Sequence, residues 1–204
     1  NVINPDEFVE KLGSDAVRMY MAFIGPYNEV GSFPWNTDSI LGVRRFLDRV
    51  WKYAKEWEDP LEETDGETRQ AIHDAIKKVS ESIEKFAMNT GVAQLMVIFN
   101  HLTKEGARKI SRNDWESIIR LLAPYAPHLA EELWANLGHD TSVHYEQWPT
   151  YDEGMLARAN VTVAVQINGK VRDTLEVPAD MSKEELERLA LVSEKVHKIL
   201  GGKS

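Results

Sequence analysis

Residues 163–177 read VAVQINGKVRDTLEV, and this stretch decides how the chain is divided. Apolar and polar side chains alternate along it until Asn168 and Gly169, and then alternate again. Such alternation is typical of β-strands with one buried face, and Asn-Gly favours a two-residue hairpin turn because both of its positions need positive φ. The sequence therefore predicts a two-stranded hairpin in a chain whose other patterns are helical.

The return strand of this hairpin has one apolar and one polar face. The apolar face is predicted to hold Val171, Leu175 and Val177. The polar face is predicted to hold Lys170 and Arg172, beside Thr174. Pro178 ends the strand, and the capping box at residues 182–185 begins a last helix that reaches about Leu200. Because two strands leave both sheet edges open, this β-β-α unit is predicted to be incomplete.

The chain before the hairpin is patterned as a series of helices. Asn4 is the predicted cap of the first helix, and Gly13 ends it. The second helix is predicted to pack through one apolar face, made of Val17, Tyr20, Met21 and Ile24. Thr37 or Asp38 is predicted to cap a long third helix that runs to about Trp57. Its apolar stripe comprises Ile40, Val43, Phe46 or Leu47, Val50, Ala54 and Trp57.

Two further helices follow an acidic linker. The first covers residues 67–86 and carries its apolar residues in a heptad-like pattern: Ile72, Ile76, Val79, Ile83 and Phe86. Asn89 and Thr90 are predicted to break this helix and to cap the next one, which runs to about Leu102. Because that helix is apolar on several faces, it is predicted to be central. Two shorter helices follow, and the second of them begins at Pro127 and ends at Gly138.

The resulting fold class is mainly α, a helical bundle followed by a small β-β-α domain. We predict a connecting segment at residues 1–35 and the bundle at residues 36–138. A connector at residues 139–160 lacks periodicity but contains several aromatic residues, so it is expected to pack back on the helices. The small domain is predicted to occupy residues 161–204.

Composition narrows the classes of function. The chain has 204 residues, no cysteine and a net charge of −9, which argues against a general nucleic-acid binder. No apolar run approaches the roughly 18–20 residues that a membrane span needs. His73, His101 and His128 are far apart and show no metal-ligand spacing. The residues alone therefore predict neither a metal site nor a catalytic constellation.

Three groups of basic residues stand out against the acidic background. The third helix carries Arg44, Arg45, Arg49 and Lys52 on a face offset from its apolar stripe. The connector at residues 103–112 carries Lys104, Arg108, Lys109 and Arg112. The hairpin carries Lys170 and Arg172. Each group fits a solvated face and also fits an RNA-binding surface, and the residues alone leave both interpretations open.

Four segments of the chain resemble one enzyme family. The stretch NVINPDEFVEKLGSDAVRMYMAFIGP of this chain resembles the segment directly after the KMSKS loop of class I aminoacyl-tRNA synthetases. Asn1 would be the last residue of that loop. The start of their helical anticodon-binding domain resembles GVRRFLDRVWKY. The Leu, Ile and Val branch of the family resembles LAPYAPHLAEELWANLGHDTSVHYEQWPTYDE. The C-terminal domain of bacterial-type leucyl-tRNA synthetases resembles VAVQINGKVRDTLEVPADMSKEELERLAL.

The resemblance implies an anticodon-binding-type bundle and part of a C-terminal tRNA-binding domain. The parent enzyme would join leucine to tRNA(Leu) using ATP and Mg²⁺, and is expected to be a cytoplasmic monomer that does not contact a membrane. The HIGH motif, the KMSKS lysines and the editing domain would precede Asn1, so this chain is expected to lack catalysis and to hold no cofactor itself. Its partner would be tRNA(Leu), met by the bundle inside the L and by the C-terminal domain at the elbow and long variable arm.

Given the resemblance, the basic residues of all three groups become candidate tRNA contacts: Arg44, Arg45, Arg49, Lys52, Lys104, Arg108, Lys109, Arg112, Lys170 and Arg172. Two alternatives stay open. A helical protein-interaction module without an RNA role would explain the negative charge, and the salt dependence of tRNA binding discriminates it, because phosphate contacts release counterions. The same region of another synthetase of the Leu, Ile and Val branch is the second alternative, which the hairpin sequence NGKVRD disfavours.

Overall fold

The structure is a computed structural model that describes residues 3–26, 33–59, 63–104, 109–156, 160–167, 170–178 and 181–192. The chain divides into two compact units, Asn1–Leu156 and Ala157–Ser204. The described part of the first unit is helical, and that of the second is a hairpin and a helix. The mainly α fold class predicted from the sequence is confirmed.

Seven α-helices make up the described framework of the first unit. In chain order they are α1 Asp6–Leu12, α2 Ser14–Phe23, α3 Thr37–Glu56, α4 Gly66–Glu84, α5 Met88–Thr103, α6 Arg112–Leu122 and α7 Pro127–Asn136. Two short 3₁₀ turns follow α7, at Val143–Tyr145 and Glu153–Met155.

The first two helices form a corner at Gly13. The side chain of Asn4 accepts a hydrogen bond from the backbone N–H of Asp6 at 3.1 Å, but the N-cap of α1 is Pro5, so the prediction of Asn4 as the cap is off by one residue. Gly13 ends α1 with a φ of 88°, a conformation that favours glycine. The prediction that Met21 belongs to the buried face of α2 is wrong, since its side chain is 45% exposed. The helix packs through Ala16, Val17, Met19 and Tyr20, so Met21 points away from the core.

The N-cap of the long helix α3 precedes both predicted caps. Asn36 is the N-cap, and its side chain accepts a hydrogen bond from the backbone N–H of Ser39 at 2.9 Å. Thr37 and Asp38, which were predicted as alternative caps, lie in the first turn instead. The predicted stripe is buried at Ile40, Val43, Phe46, Leu47 and Val50.

The junction between α4 and α5 differs from the prediction. The helix α4 ends at Glu84, and Phe86 is 68% exposed with a φ of 53°. The heptad pattern placed Phe86 in the core, but the chain leaves the helical path before reaching it. Ala87 is the N-cap of α5, so Asn89 and Thr90 lie inside the first turn and do not cap it.

The helix α5 is the centre of the bundle, as its apolar pattern predicted. Five of its side chains are fully buried: Val92, Leu95, Ile98, Phe99 and Leu102. Phe99 meets Tyr53 of α3 and Trp115 of α6 edge to face, at centroid distances of 6.1 Å each. Burial raises the pKa of the Tyr53 hydroxyl far above its usual range. This aromatic cluster fixes α3 and α5 against one another, which sets the spacing of the side chains on their outer faces.

The segment after α7 packs back on the helices, as expected from its aromatic residues. The indole N–H of Trp148 donates to the Ser80 hydroxyl on α4 at 2.7 Å. The backbone N–H of Asp152 donates to Nδ1 of His73, also on α4, at 3.0 Å. Pro149 is buried. These contacts account for His73 as a structural residue of the bundle.

The second unit contains the predicted hairpin. The strands β1 Asn160–Ile167 and β2 Lys170–Pro178 pair antiparallel, and Ile167 lies opposite Lys170. The turn residues Asn168 and Gly169 lie outside the described residues. The helix α8 follows at Lys183–Val192. Its predicted capping box is confirmed, because Ser182 and Glu185 exchange side-chain-to-backbone hydrogen bonds at 3.3 and 3.2 Å.

A β-bulge corrects the predicted faces of the return strand. Val165 pairs with Asp173 and Gln166 pairs with Val171, so Arg172 between them has no opposite residue. Val171 therefore leaves the face of Leu175 and Val177, and it is 56% exposed. The alternation of the sequence does not reveal the extra residue, because a bulge changes only the pairing and not the pattern of residue types.

Candidate nucleic-acid interface

The outer face of α3 places three of the predicted cations in solvent. Arg45, Arg49 and Lys52 are all exposed, and their spacing of four and three residues puts them on one side of the helix. Arg45 forms no hydrogen bond or ion pair with any described residue. Lys52 lies 3.7 Å from the carboxylate of Glu56, an exposed contact that contributes little stability.

The guanidinium of Arg44 has partners within the protein, unlike that of Arg45. Its guanidinium donates to the backbone carbonyl of Leu12 at 2.9 Å, and Nη2 lies 2.8 Å from the carboxylate of Asp48. The side chain is 47% exposed. Arg44 therefore joins the end of α1 to α3, and part of its charge is balanced by Asp48. The helical spacing alone had suggested that the α3 group forms one uniform surface. The structure shows instead that Arg44 differs from the other three cations.

Arg49 extends the basic face of α3 onto α5. Its Nη1 donates to the side-chain oxygen of Asn100 on α5 at 2.9 Å, and its guanidinium carbon lies 5.9 Å from the centroid of the Phe46 ring. Lys104 lies one turn beyond Asn100 on the same face of α5, and it is exposed. Arg45, Arg49, Asn100 and Lys104 therefore form one continuous surface, which we call the α3–α5 face.

Sequence reasoning missed two residues beside these cations. Asn100 carries no charge, and only the packing of α5 against α3 brings it to Arg49. Lys55 stands three residues after Lys52, and its ammonium lies 5.1 Å from the centroid of the Trp51 ring. The spacing of three residues between Lys52 and Lys55 was the signal in the sequence that could have identified Lys55.

The connector group is divided. Lys109 is exposed, and Arg108 lies outside the described residues. Arg112 donates to the carboxylate of Glu116 at 2.9 Å and also to the backbone carbonyl of Leu137 at the end of α7. His139 donates to the same carboxylate at 2.8 Å. Arg112 thus holds α6 to α7, and it lies in a network of its own rather than with Lys104.

The carboxyl of Glu116 is tuned by this network. Burial alone would raise its pKa, but the hydrogen bonds and positive charges of Arg112 and His139 outweigh that effect. The pKa of Glu116 is therefore held below its ordinary value.

The hairpin pair belongs to the second unit. Arg172 is exposed at the bulge, and Lys170 is the first residue of β2. Arg172 is the unpaired residue of the bulge, whereas Lys170 lies opposite Ile167, so the predicted common polar face of the two residues is not a feature of a regular strand. Among the described residues, no group of three or more His, Asp or Glu side chains is placed to hold a metal ion. None of the helices in the described ranges is both long and apolar enough for a membrane span.

Comparison with known proteins gives the family. Residues 65–187 match the family model described as the anticodon-binding domain of tRNA ligase. This chain belongs to that family. The match begins at the N-cap of α4 and ends within α8, so the anticodon-binding family model extends over described parts of both units.

Two known proteins are similar to this chain over nearly its full length. The chain is 44% identical over 208 aligned residues to the leucine–tRNA ligase of Parabacteroides distasonis, an alignment that covers 100% of this chain. The chain spans 22% of the length of that relative. It is also similar to the crystal structure of a ternary complex of LeuRS, tRNA and LeuAMS from Agrobacterium radiobacter, with a TM-score of 0.76 and 29% identity. That similarity covers 98% of this chain and 28% of the other.

Proposed function

We propose that this chain is a tRNA-binding portion of a leucyl-tRNA ligase and that its α3–α5 face binds the backbone of tRNA(Leu). The observation that carries the proposal is the joining of Arg49 to Asn100 at 2.9 Å, which makes one surface out of the cations of two helices. The crystal structure that resembles this chain contains a LeuRS with tRNA, which supports RNA as the partner.

The acidic composition is compatible with this function. Residues 58–70 hold six acidic side chains and one basic side chain, so much of the net charge of −9 is local to that segment. Arg45 and Lys104 have no ion-pair partner among the described residues. A cation without a partner keeps its full charge for a phosphate, and each such contact releases counterions from the RNA.

The parent enzyme would ligate leucine to tRNA(Leu) as a cytoplasmic monomer, with ATP and Mg²⁺ as its cofactor and metal. The described residues offer no cluster of three or more carboxylates or histidines that could hold Mg²⁺. The chain itself is proposed to bind RNA without activating leucine, and leucine-dependent pyrophosphate exchange by the purified chain would contradict that.

The experiment that tests the proposal is a titration of the chain with tRNA(Leu) at several KCl concentrations. We expect the logarithm of the affinity to fall linearly with the logarithm of the salt concentration. A helical module that binds only protein would show no tRNA affinity above that of a neutral carrier protein. Equal affinities for tRNA(Leu), tRNA(Ile) and tRNA(Val) would count against the leucine-specific assignment and leave RNA binding intact.

A further inference from the structure

The guanidinium of Arg49 is held from two sides although it lies on an exposed helix face. Asn100 accepts a hydrogen bond from its Nη1 at 2.9 Å, and the Phe46 ring lies beneath it at 5.9 Å. A free arginine side chain has many rotamers, and immobilising it on binding costs free energy. One contact comes from α5 and the other from Phe46 on α3 itself, and together they restrict Arg49 before any ligand arrives.

The residue that holds an arginine side chain determines whether the positive charge of that arginine is balanced. Arg44, five residues earlier on the same helix, is paired with the carboxylate of Asp48 at 2.8 Å. Arg49 is paired with a neutral amide instead. Its position is therefore fixed without an ion pair to any carboxylate among the described residues, whereas the charge of Arg44 is partly balanced.

The groups left open on the Arg49–Asn100 pair are donors. A guanidinium has five N–H donors and no acceptor, and one of the five is used by Asn100. The amide of Asn100 uses its oxygen for this bond, and its NH₂ group donates to no other residue in the described part of the chain. An array of positively charged donors without an acceptor fits the oxygens of a phosphate.

We propose that Asn100 is a positioning residue that holds Arg49 for one phosphate of the tRNA backbone. This inference rests on the proposed function of the α3–α5 face. Asn100 acts through Arg49: it fixes the guanidinium with its amide oxygen while leaving the full positive charge on the α3–α5 face.

A double-mutant cycle tests this role. The tRNA(Leu) affinity and its salt dependence are measured for the chain, for Arg49→Ala, for Asn100→Ala and for the double variant, with circular dichroism to verify folding. We expect Asn100→Ala to weaken binding by about threefold to tenfold, the range for one hydrogen bond, and to leave the salt slope unchanged. In the Arg49→Ala background the same change should have little effect, because there is no guanidinium left to position.

A second variant separates positioning from simple loss of contact. In Asn100→Asp the new carboxylate pairs with Arg49 and cancels its charge, so the salt slope should fall by about one unit, as it does for Arg49→Ala. A matched control is Lys104→Ala, whose effect should add to that of Asn100→Ala.

Three results would overturn the inference. The first is that Asn100→Ala weakens binding as much in the Arg49→Ala background as in the wild type. The second is a wild-type affinity for Asn100→Ala, and the third is a wild-type salt slope for Asn100→Asp. Failure of the proposed function itself looks different, because then Arg49→Ala would alter neither affinity nor slope.

Discussion

The carboxylate of Asp15, in the first turn of α2, accepts a hydrogen bond of 2.7 Å from the backbone N–H of Leu129, in the first turn of α7. It also accepts from the ring of His128 at 2.8 Å. The N-cap position of α7 is Ala126, whose side chain forms no capping bond. A residue 114 positions earlier in the chain thus supplies the cap of α7 and joins the first helices to the bundle.

Replacing Asp15 by Ala should destabilise the chain by about 1.5–3 kcal/mol, because α7 loses charge-assisted hydrogen bonds from a carboxylate that is only 12% exposed. Urea unfolding followed by circular dichroism measures the change. The control is Asp6→Ala in the first turn of α1, an exposed site where the change should stay within about 0.5 kcal/mol. Equal losses for the two variants would mean that Asp15 acts only as a first-turn charge.

Replacing Phe86 by Gly should stabilise the chain by about 1 kcal/mol. Its φ of 53° lies in the left-handed region, and the backbone N–H of Ala87 closes the end of α4 by donating to Ser82 at 2.8 Å. Glycine adopts this conformation without the steric cost that Phe pays, and little apolar burial is lost because the ring is exposed. Phe86→Ala keeps most of the backbone cost and should give at most a small gain. If thermal unfolding shows Gly below Ala in stability, the ring contributes packing that its exposure does not suggest.

Two glycines within helices should respond to alanine in opposite ways. A Cβ at Gly91 would lie 2.0 Å from the Tyr125 hydroxyl and 2.5 Å from the Ser82 hydroxyl, so Gly91→Ala should cost about 1–3 kcal/mol by overpacking. A Cβ at Gly42 meets only the flexible end of Arg45 at 3.7 Å, so Gly42→Ala should stabilise by about 0.5–1 kcal/mol. Chemical denaturation of both variants checks the pair, and effects of the same sign would contradict the packing described here.

The depressed pKa of Glu116 predicts a pH dependence of stability. Since its folded-state pKa lies below the ordinary value of 4.5, the carboxylate stabilises the fold above that pH and loses this contribution as the pH falls through the folded-state pKa. The free energies of unfolding of the wild type and of Glu116→Gln should therefore differ at pH 7 and converge in strong acid. A difference that stays constant from pH 7 to the acid limit would show that Arg112 and His139 do not act through the charge.

Periodicity predicted the parts of the fold that depend on burial alone. The stripe of α3 and the central place of α5 follow from apolar spacing, because these helices bury their faces in one core. Features that depend on a single local bond were harder to predict. Asn36, Thr37 and Asp38 are all good cap residues, and only the hydrogen bond to Ser39 selects Asn36. The bulge at Arg172 leaves the alternation of residue types intact and was not predictable from it.

The candidate site shows a similar division. Helical spacing correctly placed Arg45, Arg49 and Lys52 on the exposed side of α3. It gave no information about partners from distant segments, such as the Leu12 carbonyl that binds Arg44. Nor did it predict that Asn100 would meet Arg49, 51 positions apart. The tertiary structure decides which cations remain available for a ligand.

The most direct test of the account compares two double variants that remove the same charge. Arg45→Gln with Arg49→Gln alters the α3–α5 face, whereas Arg69→Gln with Lys85→Gln removes two cations that are ion-paired with Glu63 and Glu81. The measurement is the slope of tRNA(Leu) affinity against salt concentration for both variants and the wild type. We predict that the first pair flattens the slope by about two units, one for each lost phosphate contact, and that the second leaves it near the wild-type value. Equal slopes for the two variants would contradict the claim that the α3–α5 face binds the tRNA backbone.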